Sequence, residues 1–339
     1  KIFNYHFIYV PFIPNISYSQ IQDKGIIAIM YHRFEENKYP STNIKIKDFK
    51  SHIKLIKESG LEFISHEQFN EYVNKKNETK KVMLTIDDGF SSFYENAWPI
   101  LKKEKIPFII FVNTESVGSR GYMSWDELKE ISEFDFVHIG NHSHSHEYLV
   151  DMNEEEIRND LNKAKKLLDE KLNNRTKLFA YPFGEYKNSY KKIVKEMGFH
   201  YGFGQHSGVI DVTKDKFELP RFPINEKYGE AKRFQRLLKT IPFQYKKITP
   251  EEKYLIPENN PPKVKIIFYE DGPNIKNINC YSNEQDKWRK SELKFINEKE
   301  LMVVLDGKFT TERGRINCSL REKTGEWRWL GIQFVISNL

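Results

Sequence analysis

Cysteine is scarce in this chain, with two residues in 339, Cys280 and Cys318, both near the C-terminus. They can form one disulfide if the protein is exported, and two thiols are too few to fix a compartment. Long apolar runs are missing as well. No stretch approaches the roughly 20 consecutive apolar residues of a membrane-spanning helix, which excludes such a helix. Charge of a single sign is absent: 54 Lys and Arg stand against 48 Asp and Glu. The net charge of +6 is therefore spread over a solvated surface and leans only weakly toward anionic partners. No basic stripe with interleaved aromatics exists, which argues against nucleic acid. Internal repeats and low-complexity tracts are also lacking.

The length suits one large α/β domain plus a smaller module. The first 24 residues form a separate N-terminal segment. Its apolar run from Phe7 to Ile13, broken by Pro11, precedes Ser17-Tyr18-Ser19, whose small flanking residues resemble a signal-peptidase site. Export, to a periplasmic, extracellular or cell-surface location, is the resulting expectation.

From residue 25 to 240, short and nearly continuous apolar runs alternate with amphipathic stretches. The runs are 26–31, 82–86, 108–112, 136–140, 178–181 and 199–203, as expected of parallel strands buried on both faces. Between them, Phe49, Ile53 and Ile56 mark one helix, and Ile157, Leu161, Ala164 and Leu168 another, opened by Asn153 and Glu156. The alternation predicts an α/β fold, either an open doubly wound sheet or a distorted or incomplete (β/α) barrel. Prolines at 242, 250, 257, 261 and 262 predict a linker over 241–262. Beyond it, strand and turn signals predict a small all-β, sandwich-like module over 263–339. Trp288, Trp327 and Trp329 there suit either its core or a carbohydrate- or partner-binding surface.

Polar residues collect at the C-terminal ends of the apolar runs: His32, Asp87-Asp88-Gly89, Asn141-His142 and Pro182-Phe183-Gly184. In a βα barrel those ends share one mouth. Two carboxylates leaving a buried strand are costly unless a cation or hydrogen bonds satisfy them. Since neighbours on a strand face opposite ways, one carboxylate can bind metal while the other handles a proton. His142 and His146, four apart in His142-Ser143-His144-Ser145-His146, share a face if the segment turns helical, and His144 points elsewhere. Two imidazoles and a carboxylate leave an open metal position. A satisfied core histidine at His32, a surface His-rich loop and a plain Asp-Gly turn are the competing readings. His206, on a glycine-rich loop, is a further candidate.

Together these segments resemble the polysaccharide deacetylase family (NodB homology, carbohydrate esterase family 4). Thr85-Ile86-Asp87-Asp88-Gly89 matches its first motif, His142-Ser143-His144-Ser145-His146 its second and Tyr181-Pro182-Phe183-Gly184 its third. The family's usual Arg two places before that Pro is Ala180 here. Met30-Tyr31-His32-Arg33-Phe34 and Gly202-Phe203-Gly204-Gln205 are similar to the branch acting on poly-β-1,6-N-acetylglucosamine. The resemblance, which covers about residues 25 to 225, implies metal-dependent removal of N-acetyl groups from such a polymer. It implies Asp88, His142 and His146 as ligands to a divalent ion, zinc first, with Co2+, Ni2+ or Fe2+ as alternatives. Asp87 then acts as base, His32 as general acid and the Phe183 backbone N–H as oxyanion donor. Arg221 is the candidate for the missing Arg that orients the base. The partners implied are the polysaccharide and the machinery of polymer synthesis or export. The alternatives are peptidoglycan, chitin oligomers or xylan as substrate, or a non-catalytic glycan-binding protein.

Overall fold

A computed structural model describes residues 24–74 and 79–336, so residues 1–23 of the expected N-terminal segment lie outside the described residues. Strand β1 (Ile26–Tyr31) is followed by a side pair, β2 (Arg33–Phe34) with β3 (Asn43–Ile44). Then come α1 (Ile46–Glu58), β4 (Glu62–Phe63), α2 (His66–Asn74), β5 (Lys81–Asp88), α3 (Trp98–Glu104), β6 (Phe108–Val112) and α4 (Trp125–Ser132). β7 (Val137–Asn141), α5 (Glu154–Leu172), β8 (Leu178–Ala180), α6 (Asn188–Glu196), β9 (Tyr201–Phe203), β10 (Phe222–Pro223) and α7 (Ala231–Leu237) complete the α/β part. The sheet runs β10-β1-β5-β6-β7-β8-β9, with β4 added beside β5, and every pairing is parallel. Among the described residues no ladder joins β9 to β10, so the curled sheet is an incomplete (β/α) barrel.

Side-chain parity organises the barrel. Successive residues on a strand face opposite sides, so Ile27, Ile29, Val82, Leu84, Phe108 and Ile110 pack outward beneath the helices. Ile26, Ala28, Met83, Ile109, Phe111, Leu178, Ala180 and Phe203 pack inward. The inward row of β1 continues Ile26, Ala28, Met30 to His32, and that of β5 continues Met83, Thr85 to Asp87. On β7 it reads His138, Gly140, His142. Gly140 has to be glycine, because a Cβ there would lie 2.4 Å from the Phe111 ring. The helices follow their sequence signals. Asn153 and Glu156 form a reciprocal capping box, and Ile157, Leu161, Ala164 and Leu168 are the buried face of α5.

The predicted linker is not one. Residues 240–255 contribute β11 (Thr240–Pro242), β12 (Tyr245–Thr249) and β13 (Tyr254–Leu255), followed by β14 (Val264–Phe268), β15 (Asn279–Ser282), β16 (Arg289–Lys290), β17 (Glu292–Asn297), β18 (Glu300–Val304), β19 (Arg313–Arg321) and β20 (Trp327–Ile336). The prolines stand at strand ends and turns, where no ladder N–H is needed. β11 and β13 pair with the two ends of the long β20. One sheet runs β11-β20-β19-β15-β16, joined by β13, and a second runs β12-β14-β18-β17. Val264, Ile266, Leu301, Ile316, Leu330 and Phe334 from both sheets share one core. Cys280 and Cys318 stand directly opposite each other on β15 and β19 and are disulfide-bonded.

Candidate active site

At the mouth of the barrel the inward rows end in polar groups. Asp88 is the last residue of β5, and its left-handed backbone, φ 74°, turns the chain there. Its Oδ1 lies 3.4 Å from His142 Nε2 and 3.2 Å from His146 Nε2. One ligand atom from each of the three residues falls within 4.8 Å of the other two. Asp88 Oδ1 and His142 Nε2 are buried and have no hydrogen-bond partner among the described residues. Buried polar atoms left this way are costly unless something fills the space between them. A divalent cation fits: the donors are one carboxylate and two imidazoles, with room for a further ligand.

The histidines are held from behind. His142 Nδ1 donates to the Ala180 carbonyl at 2.7 Å, which fixes the tautomer that leaves Nε2 free for a cation. His142 and His146 were expected on one face of a helical turn. Instead His142 ends the β7 row, and the chain folds back through left-handed residues at Ser143, φ 70°, and His146, φ 55°. This brings the two rings to 4.8 Å between centroids. Each such residue costs roughly 1 kcal/mol or more, so the loop needs anchors. Asp160 on α5 supplies them, accepting from the His144 and Ser145 N–H groups at 2.7 and 2.9 Å. His146 N–H donates to Ser143 Oγ at 3.0 Å. His144 turns away toward Thr114, 2.8 Å from its Nδ1.

Asp87 faces inward, completely buried, and meets Arg221, also completely buried. The pair is bidentate, with Nη1 2.6 Å from Oδ1 and Nη2 2.8 Å from Oδ2. Arg221 sits one residue before β10 and reaches Asp87 through the barrel interior. On the way its Nε donates to Gly204 O at 2.9 Å and Nη1 to Thr85 Oγ1 at 3.2 Å. Burial alone would raise the Asp87 pKa, but Arg221, His142 and His32 override it and hold the carboxyl below its usual range. Asp88 behaves alike: His142 and His146 outweigh burial and hold it well below that range. Burial lowers the His32 pKa, and the nearby Asp88 and Asp87 offset this only in part.

His32 and Phe183 line the same cleft as Asp88 and His146. The Phe183 ring stands 4.6 Å from that of His146 and stacks on Tyr148 at 4.5 Å. His206 lines the cleft too, and burial pushes its pKa down to about 4. Its carbonyl accepts the Arg221 N–H at 3.0 Å. The structure thus gathers Asp87, Asp88, His142, His146, His32, Phe183 and Arg221 at one place. Sequence reading missed Asp160 and the Ala180 carbonyl. A polar residue on an amphipathic helix and a backbone oxygen carry no signal of such work.

A curled parallel sheet with a carboxylate–imidazole triad beside a paired carboxylate is an arrangement that can hold a divalent cation and turn water on a polarised carbonyl. Residues 74–202 match the sequence model of the polysaccharide deacetylase family. The chain is 28% identical over 233 residues to the poly-β-1,6-N-acetyl-D-glucosamine N-deacetylase of Staphylococcus aureus, covering 60% of this chain and 80% of that one. Among solved structures, IcaB from Ammonifex degensii is 26% identical with a TM-score of 0.58 over 63% of this chain and 98% of its own. The Streptococcus pyogenes deacetylase PplD shares the fold, at 23% identity and a TM-score of 0.58 over the same shares.

Proposed function

We propose that this protein removes N-acetyl groups from poly-β-1,6-N-acetylglucosamine, with Asp88, His142 and His146 holding a divalent cation, zinc first. The observation that carries the reading is the convergence of those three ligands beside the Arg221-bound carboxylate of Asp87. The substrate is taken from the Staphylococcus aureus enzyme and from the His32 segment, which this chain has in the place that branch uses. A bound divalent cation supplies Lewis acidity, polarising the acetamide carbonyl and making water more acidic.

The side chains supply the rest. Asp87, kept ionised and aimed by both guanidinium nitrogens, accepts a proton from the attacking water. The Phe183 N–H donates to the oxygen that gains charge on the carbonyl. His32 passes a proton to the departing amine. The proton that Asp87 takes from the water and the one that His32 gives to the amine balance, so the step draws no net proton from solvent. Arg221 does the orienting that the family assigns to an Arg at position 180, since Ala180 and Arg221 both face the barrel interior. The Cys280–Cys318 disulfide supports export, because such bonds persist in oxidising compartments.

The deciding experiment is acetate release from the β-1,6 polymer, with and without a chelator. Release that stops on chelation and returns with added divalent metal is expected. No release from this polymer, with release from chitin or peptidoglycan fragments, would move the substrate and keep the chemistry.

A further inference from the structure

The cleft above the triad, about 730 Å³ in volume, has a second wall. His32, Asp88, His146 and Phe183 bound one side, and Tyr281, Trp288, Arg315 and Asn317 of the C-terminal β part bound the other. Its size lies within the roughly 300–1,000 Å³ typical of small-molecule sites and leaves room beyond a single acetamide.

This wall is fixed in place. Alternation along β19 sends Ile316, Cys318 and Leu320 into the module's core, which leaves Arg313, Arg315 and Asn317 on the other face. That face closes on the loops after β8 and β9. Ser207 Oγ donates to Asn317 Oδ1 at 2.9 Å, and Trp329 Nε1 donates to Ser207 Oγ at 3.2 Å. Gln333 Nε2 donates to Gly184 O at 3.2 Å, and Arg313 pairs with Glu185 at 2.7 Å. Gly331 approaches so closely that a Cβ would lie 2.3 Å from Ser207 O. Trp329 is therefore half-buried between the two parts, neither in the module's core nor on a free surface.

Two features of the wall have no structural use. Trp288 and Tyr281 are 47% and 45% exposed, although they line a concavity. Flat rings with a polar edge suit a partner that offers an apolar face and peripheral hydroxyls, as a pyranose does. Arg315 donates through Nε to Gln333 at 3.2 Å and has no ion-pair partner among the described residues. Its neighbour Arg313 is neutralised by Glu185 and Glu312. A guanidinium without a counter-ion in a cleft has N–H groups to offer to sugar hydroxyl or acetamide oxygens.

We propose that this β-sheet is the second half of the substrate cleft: Tyr281 and Trp288 stack on an N-acetylhexosamine ring flanking the one under attack, and Arg315 hydrogen-bonds its oxygens. The inference rests on the glycan reading above and makes the enzyme one for chains rather than single sugars.

The test is titration of a β-1,6-linked N-acetylglucosamine pentamer into the full chain, with chelator present to halt turnover, alongside KM and kcat without it. Trp288→Ala and Tyr281→Ala should each weaken pentamer binding and raise its KM by about tenfold, the change falling in KM rather than kcat. Trp288→Phe should restore most of the affinity. Pentamer affinity within about twofold of wild type for both alanine variants overturns the proposal. The two readings fail separately. A protein that binds the pentamer through Trp288 but releases no acetate from any glycan keeps the wall and loses the activity. Normal acetate release with unaltered binding in the variants does the reverse.

Discussion

Asp87 and Arg221 show what one buried pair contributes. Neither has access to water, so each is tolerable only because the other is there. Asp87→Asn removes the proposed proton acceptor and leaves the three candidate metal ligands in place. Acetate release should fall about 10²- to 10⁴-fold while the metal content, measured on the purified variant, stays at the wild-type level. Metal retained with undiminished release would remove Asp87 from the role of base. Arg221→Lys keeps the charge but loses the two-pronged contact with the carboxylate. Breaking a buried pair typically costs about 3–5 kcal/mol. Urea unfolding of this variant should therefore show a large stability loss together with lost activity, whereas a merely exposed ion pair would give almost none.

At the scale of elements, the loop after β7 and the helix α1 each depend on a group that acts at a distance. Asp160 on α5 binds the backbone of the histidine loop without touching the triad. Asp160→Ala should weaken metal affinity by about tenfold or more, as second-layer changes do, with the circular dichroism of the fold kept. Equal metal affinity in a competition titration would count against it. On α1, His52 is completely buried; its Nδ1 lies 3.0 Å from Tyr31 Oη and its Nε2 2.7 Å from Gly229 O. Burial pushes its pKa down to about 4, although the Gly229 carbonyl and Asp48 act in the opposite sense. The unfolded chain, with an ordinary histidine near 6.5, takes up its proton first as pH falls. The stability tied to neutral His52 is full above pH 6.5 and is lost as pH drops toward 4, a change on the order of 3 kcal/mol. Thermal melts between those values should show a falling Tm, with a shallower slope in His52→Asn whatever that variant's absolute stability.

Across the whole molecule, the C-terminal part is bound to the barrel through β20, the Ser207 loop and the Arg313–Glu185 pair, and one disulfide ties the neighbouring strands β15 and β19 within one of its sheets. Reducing Cys280–Cys318 should destabilise that part by about 2–4 kcal/mol, seen as a lower Tm in reductant and its recovery on reoxidation. An unchanged Tm would mean that the shared core of the two sheets suffices.

The gathering of carboxylates and imidazoles at one mouth was legible because it is written locally. Carboxylates and imidazoles at the ends of apolar runs, in a period-two pattern, have few other reasons to be there. His32, Asp87 and His142 all fall on the inward parity of their strands. Helix caps and buried faces were legible for the same reason, since they depend on neighbours a few residues away. Only the folded chain decided the rest. Arg221 was named as the partner of Asp87 only through the family resemblance, since nothing local joins the two across 134 positions, and nothing in the sequence makes Asp160 the anchor of a loop or shows that 241–262 adds strands to the edges of β20. Those features depend on contacts between segments far apart along the chain, whose partners are chosen by packing and not by local propensity.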